Sequence, residues 1–286
     1  MVNKVNFLGH EVSRLIGGDN PITGHSYIED KVTGADMKKY YTAENVKKSF
    51  KRLYELGINT MCPLSDPYVV RLLQEYQEET GNGMQCIWQP WTPLGMYEGV
   101  AWIPKELKTI ATYHQGTTTD FLREKGDYET IKENIKKMKE LGVPVGLGTH
   151  YPDMIERAEE EDWGADFYMA CLHNARRGRE GEQSGFITGK SKQGLKFYPE
   201  DRPIMLNTIR QLDKPVIAFK IFAGGQYFTG MDEAQIKEAI KGIYEEVFSA
   251  LKPNDIAAMG YFQRDKDEIA ENVKIYEEWM AEKKEN

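Results

Sequence analysis

Three of the chain's five histidines, His114, His150 and His173, each stand at the end of a short apolar run, and another such run ends on Lys220. Imidazole changes charge near neutral pH, so histidines placed in this way serve as general acids or bases, or as ligands of a divalent metal such as zinc. Lys220 interrupts Val216-Ile217-Ala218-Phe219 and Ile221-Phe222. An ammonium there is costly unless it meets an anion or reaches an open mouth. It suits binding of a substrate carboxylate or phosphate, polarisation of a carbonyl, or Schiff-base formation. The structural alternative is an ion pair with Asp19 or Asp66. Asp66, just past the run that ends near Cys62, joins His114, His150 and Lys220 as a candidate for acid/base work. Gly224 and Gly225, beside Lys220, offer backbone N–H groups to an anion.

These residues need a scaffold that brings strand ends together. Short apolar runs alternate with amphipathic segments along the whole chain, the pattern of a parallel sheet with crossover helices. We read eight strands, at 12–17, 59–63, 84–89, 109–114, 144–149, 166–173, 215–221 and 255–262. Eight strands with helices between them close a single (β/α)₈ TIM barrel, whose usual length of roughly 250 residues suits this chain. In that fold the C-terminal strand ends form the active face. Adjacent strands lie about 4.8 Å apart, so His114, His150 and His173 on consecutive strands are expected to converge, as a metal ligand set or an acid/base group.

The helices carry their own end signals. Thr42 is a candidate N-cap, Val46, Phe50 and Leu53 share a face, and Gly57 stops the helix. Ile131, Ile135 and Met138 repeat the spacing before Gly142, and Ile269, Val273, Tyr276 and Met280 mark a final helix. No linker divides the 286 residues, so one domain is expected. Two long segments follow strands, at 19–41 and 174–202. The second, with Gly178, Gly181, Gly185, Arg176, Arg177 and Arg179, reads as a basic lid over the site.

Composition narrows the class of partner. A net charge of −8 lacks the basic footprint of nucleic-acid binding. Cys62, Cys86 and Cys171 are odd in number and have no CxxC spacing, which favours reduced thiols in a cytoplasmic protein. No apolar stretch approaches the ~18 residues of a membrane helix. The expected partner is a small molecule, and self-association as a homo-oligomer stays open.

Several stretches resemble the aldo/keto reductases. Leu8-Gly9-His10-Glu11-Val12-Ser13-Arg14 is similar to that family's opening, in which an N-terminal β-hairpin plugs the barrel. Gly146-Leu147-Gly148-Thr149-His150-Tyr151-Pro152-Asp153 follows its fifth strand, and Phe219-Lys220-Ile221-Phe222-Ala223-Gly224-Gly225 its seventh-strand turn. The resemblance implies a nicotinamide nucleotide held near Gly224, Gly225 and Arg264. The family's proton-delivery set matches only at His114. Its aspartate position holds Cys62, its lysine position Trp88 or Gln89, and Tyr68 is displaced from the tyrosine spacing. Hydride transfer needs a general acid beside the carbonyl and a positioned cofactor. The favoured expectation is therefore a divergent barrel enzyme, a lyase, isomerase or hydrolase acting on a small, polar, anionic substrate by acid/base or metal-assisted chemistry. An NADP-dependent oxidoreductase and a non-catalytic ligand-binding barrel are the alternatives.

Overall fold

Eight parallel strands close into a ring in the order β10-β3-β4-β5-β6-β7-β8-β9 in the computed structural model, which describes residues 1–173 and 196–285. They are β3 Leu15–Gly18, β4 Thr60–Cys62, β5 Gln85–Trp88, β6 Lys108–His114, β7 Val145–Thr149, β8 Phe167–Cys171, β9 Val216–Phe219 and β10 Ile256–Gly260. Helices follow the strands and pack outside them. The fold is the expected (β/α)₈ barrel, preceded by an antiparallel hairpin of β1 Lys4–Phe7 and β2 His10–Ser13.

One expected strand is divided. The run 12–17 spans two elements, because Val12 belongs to the hairpin and the barrel strand begins at Leu15. Leu8 and Gly9 both take positive φ, 52° and 85°, which makes the tight turn that returns β2 against β1. Phe7 and Val12 are thereby buried with Ile16, Ile87, Phe167 and Ile217 inside the barrel. The hairpin closes the end of the barrel away from the strand C-termini.

The helix signals translate directly. Thr42 caps helix Ala43–Glu55, which buries Val46, Phe50 and Leu53, and Gly57 follows at φ +87°. Helix Tyr128–Met138 buries Ile131, Ile135 and Met138. The segment 19–41 is not all loop, since Gly34–Tyr40 is a helix with a capping box made by Thr33 and Asp36. Of the expected lid, residues 174–195 lie outside the described residues. Its far end, with Arg202, belongs to helix Asp201–Ile209. No helix among the described residues is long and apolar enough to cross a membrane.

Strand parity decides what faces the axis. Tyr113, Phe167, Met169 and Ile217 point inward, whereas Val145, Leu147 and Tyr168 join the helix layer. Gly146 and Gly148 alternate inward on β7, where a Cβ would meet the Phe167 ring at 2.6 Å and Tyr113 at 3.0 Å. Glycine is required there by the width of two aromatic rings. With a period of two, His114 beside Tyr113 is turned outward, and His150 beside Thr149 is turned inward.

Candidate functional site

A cavity of about 450 Å³ opens at the C-terminal ends of the strands and takes in Asp19, Tyr27, Tyr113, His150 and Lys220. Its head lies over the barrel axis. An arm extends past Phe222 and Ile240 toward Glu268 and Asn272.

The polar core of the head begins on a helix. Asp120 lies on the buried face of helix Gly116–Lys125, with 1% of its surface exposed. One of its oxygens accepts from the Thr149 hydroxyl at 2.7 Å and from the His150 backbone N–H at 3.2 Å. The other sits 2.6 Å from His150 Nδ1. A buried carboxylate in that position holds a proton on Nδ1 and turns Nε2 into the cavity. Nε2 in turn lies 3.0 Å from Lys220 Nζ.

Lys220 reaches this place through its backbone. Phe219 ends β9, and Lys220 then adopts φ 55°, the left-handed region that a non-glycine residue enters only at a cost. Continued alternation would send the lysine to the helix layer. The left-handed step swings it over the mouth, where its ammonium also hydrogen-bonds the Tyr27 hydroxyl and lies 5.0 Å from that ring's centre. Tyr27 is further fixed by the Asn20 amide, which donates to its hydroxyl at 3.0 Å. The ring of Phe197, just past the undescribed residues, packs tilted at 59° against Tyr27, with centres 5.3 Å apart.

Cys171 on β8 lies between the strands that carry His150 and Lys220, and its thiol donates to the His173 carbonyl at 3.1 Å. Burial opposes charge on both His150 and Lys220, and Lys220 also opposes it on His150; Cys171, whose ionised form these two neighbours favour, offsets it on each, with Asp120 also supporting His150 and Tyr27 supporting Lys220. Lys220 is raised above the ordinary lysine value, and His150 is pushed up to about 9. At 3.0 Å the two facing nitrogens are close enough for either to donate to the other, so they titrate as a pair rather than as independent groups.

The other expected site residues are distributed differently. His114 is fully buried and faces the helices: Nδ1 bonds Thr119 Oγ1 at 2.8 Å and Asn134 donates to Nε2 at 3.2 Å. Burial presses its pKa down to about 4, so it is a neutral packing group and not part of the cavity. His173 is buried beside Tyr198, whose carbonyl lies 3.2 Å from Nδ1, and Phe197. The expected convergence of His114, His150 and His173 is therefore corrected. Parity turns His114 away from the cavity, His173 stands past the end of β8 and does not line it, and the described residues include no cluster of three or more His, Cys, Asp or Glu able to hold a metal.

Asp66 is a helix N-cap, accepting from Tyr68 N–H at 2.8 Å and Val69 N–H at 3.1 Å, and it does not line the cavity. Gly224 and Gly225 do line it, in left-handed conformations. A Cβ on Gly224 would fall 2.6 Å from Tyr27, so this turn is also packing surface. Arg264 binds Asp265 through two nitrogens, each at 2.9 Å, and lies 3.9 Å from Asp36. The arm of the cavity beside it carries Asp265, Lys266, Glu268, Glu271 and Asn272.

Asp120 and Tyr27 escaped the sequence reading. The signal for Asp120 was an aspartate on the same helix face as Gly116 and Thr117, which are buried, a position where an unpaired carboxylate is expensive. Tyr27 carried no such signal, because its contact with Lys220 joins segments far apart in the chain.

No family model matches the chain, and no curated protein matches it in sequence. Solved structures do. An aldo-keto reductase from Bacillus halodurans superposes with a TM-score of 0.57 at 14% identity, over 97% of this chain and 91% of that one. The dihydropteroate synthase of Yersinia pestis gives 0.56 at 10% identity over 99% and 100% of the chains. That of Xanthomonas albilineans gives 0.53 at 14% identity, over 99% of each. The reductase is thus one of several similar barrels with different names, and at these identities the likeness establishes the (β/α)₈ fold and nothing finer.

Proposed function

We propose that this barrel is an enzyme that moves protons at a carbonyl-bearing, small polar substrate, an isomerase or lyase, using Lys220, His150 and Asp120 as a relay. The observation that carries the reading is the unbroken line from Asp120 through His150 to Lys220, 2.6 Å and then 3.0 Å long, ending in the cavity. Lys220 as ammonium donates a hydrogen bond or a proton to the substrate's carbonyl oxygen. His150 then returns a proton to Nζ, and Asp120 stabilises the imidazole in its donor form. Alternatively, the neutral amine left at Nζ by that donation takes a proton from the substrate carbon and returns to ammonium. A positioned acid/base of this kind typically accelerates a step by about 10²–10⁴-fold. The strained backbone at Lys220 supports the reading, because strain of this sort persists where a side chain must be aimed. An anionic substrate matches Lys220 and Lys31, both on the cavity wall.

The test is hydrogen–deuterium exchange at carbon, followed by NMR with a panel of small α-keto and α-hydroxy acids and their phosphates in D₂O. Wild-type protein should exchange the α-proton of at least one, and Lys220→Met should lose about 10³-fold. Equal exchange by the variant, or none by wild type across the panel, would sink the proposal.

A further inference from the structure

A proton relay on one side of a substrate leaves open what meets its other side. The ring order places β3 four strands from β7 in a barrel of eight, so the ends of these two strands face each other across the mouth. His150 follows β7, and Asp19 follows β3. Asp19 is 6% exposed and lines the same cavity. Its Oδ2 is held by the Leu64 backbone N–H at 2.6 Å, which fixes the carboxyl plane from the neighbouring loop. We propose that Asp19 is a second catalytic proton carrier, serving the substrate face opposite His150 and Lys220. This inference rests on the proton-transfer reading above.

The proton balance is simple. The Asp19 carboxylic acid gives its proton to the substrate atom that gains negative charge, and becomes a carboxylate. The Lys220–His150 pair takes one proton from the opposite face. Substrate gains one proton and loses one, and the two enzyme groups are reset by the reverse exchange or by water.

The surroundings suit a carboxyl that spends part of its time protonated. Burial is the main cause, and Asp66 adds like-charge repulsion. Together they outweigh the Leu64 hydrogen bond and bring Asp19 to about 7. The other titratable groups near it are Cys62 after Met61 on β4, Tyr113 on β6 and Tyr27 from the covering segment. Cys62 and Tyr113 are held neutral by burial. The pairing of a carboxyl raised toward neutrality with a differently tuned base is how one cavity supplies both an acid and a base.

The test uses protein carrying ¹³C-labelled aspartate carboxyls, with Asp19→Asn assigning the resonance, and oxalate as a planar mimic of an enolate. Asp19 should titrate near pH 7 in the free protein. Saturating oxalate should move that midpoint upward by about one unit or more, because the bound anion favours the protonated carboxyl. A carboxyl that only anchors Leu64 would not respond to the ligand. A midpoint unchanged by bound oxalate, or one below about 5, overturns the Asp19 proposal while leaving the relay intact. Failure of oxalate to bind wild-type protein, or undiminished binding by Lys220→Met, overturns the relay reading and the role of Asp19 with it.

Discussion

His114 and His150 end neighbouring strands of one barrel, yet they live in opposite chemical worlds. His114 turns into the helix layer, where Thr119 and Asn134 satisfy both ring nitrogens and burial holds it neutral. His150 turns toward the axis, where Asp120 and Lys220 bracket the ring, and Cys171 and Asp120 raise its affinity for a proton against burial and the Lys220 charge. The difference is one step of strand parity, and it separates a structural histidine from a reactive one.

The sharpest way to break this comparison is to make the same substitution twice. His150→Gln should lower α-proton exchange by about 10³-fold, whereas His114→Gln should change it by less than about threefold. Comparable losses in both would mean that parity does not divide their roles.

The next effect concerns stability in acid. His114 binds its proton near pH 4 when folded and near 6.5 when unfolded, so the unfolded chain holds more protons between these values. The folded state should be unaffected by this group above about pH 6.5 and should lose about 3 kcal/mol as pH falls toward 4. Thermal melts of wild type and His114→Gln at pH 7.5 and 4.5 measure it, and the variant should show the flatter dependence.

Asp120→Asn probes the support of the reactive histidine. It removes the charge that backs Nδ1, and exchange should fall by about 10²-fold with little change in substrate KM. A KM effect alone would assign Asp120 to substrate binding instead.

The smallest expected effect is a displacement of a pH profile. Cys171 helps hold the proton on His150, so Cys171→Ala should move the high-pH loss of exchange downward from about 9. A limb that stays in place would show that the thiol contributes nothing to the pair.

The eight strands and most helix boundaries were legible along the chain, because apolar periodicity, caps such as Thr42 and stops such as Gly57 act over a few residues. The importance of Lys220 was legible too, since an ammonium inside an apolar run demands an explanation. Its partners were not. Asp19 and Asp66 are nearer to one another in sequence than to Lys220, but Asp66 caps a helix, while His150 and Tyr27 meet the lysine.

What the sequence determined by itself was the repeated strand–helix pattern and a pool of titratable residues at strand ends. Only the tertiary structure decided which of them share the mouth. That choice depends on barrel closure, on the parity of each strand's final residue and on one left-handed step at Lys220. These are relations between distant segments, and a shift of one residue reverses the direction of a side chain without altering the local pattern that announces the strand.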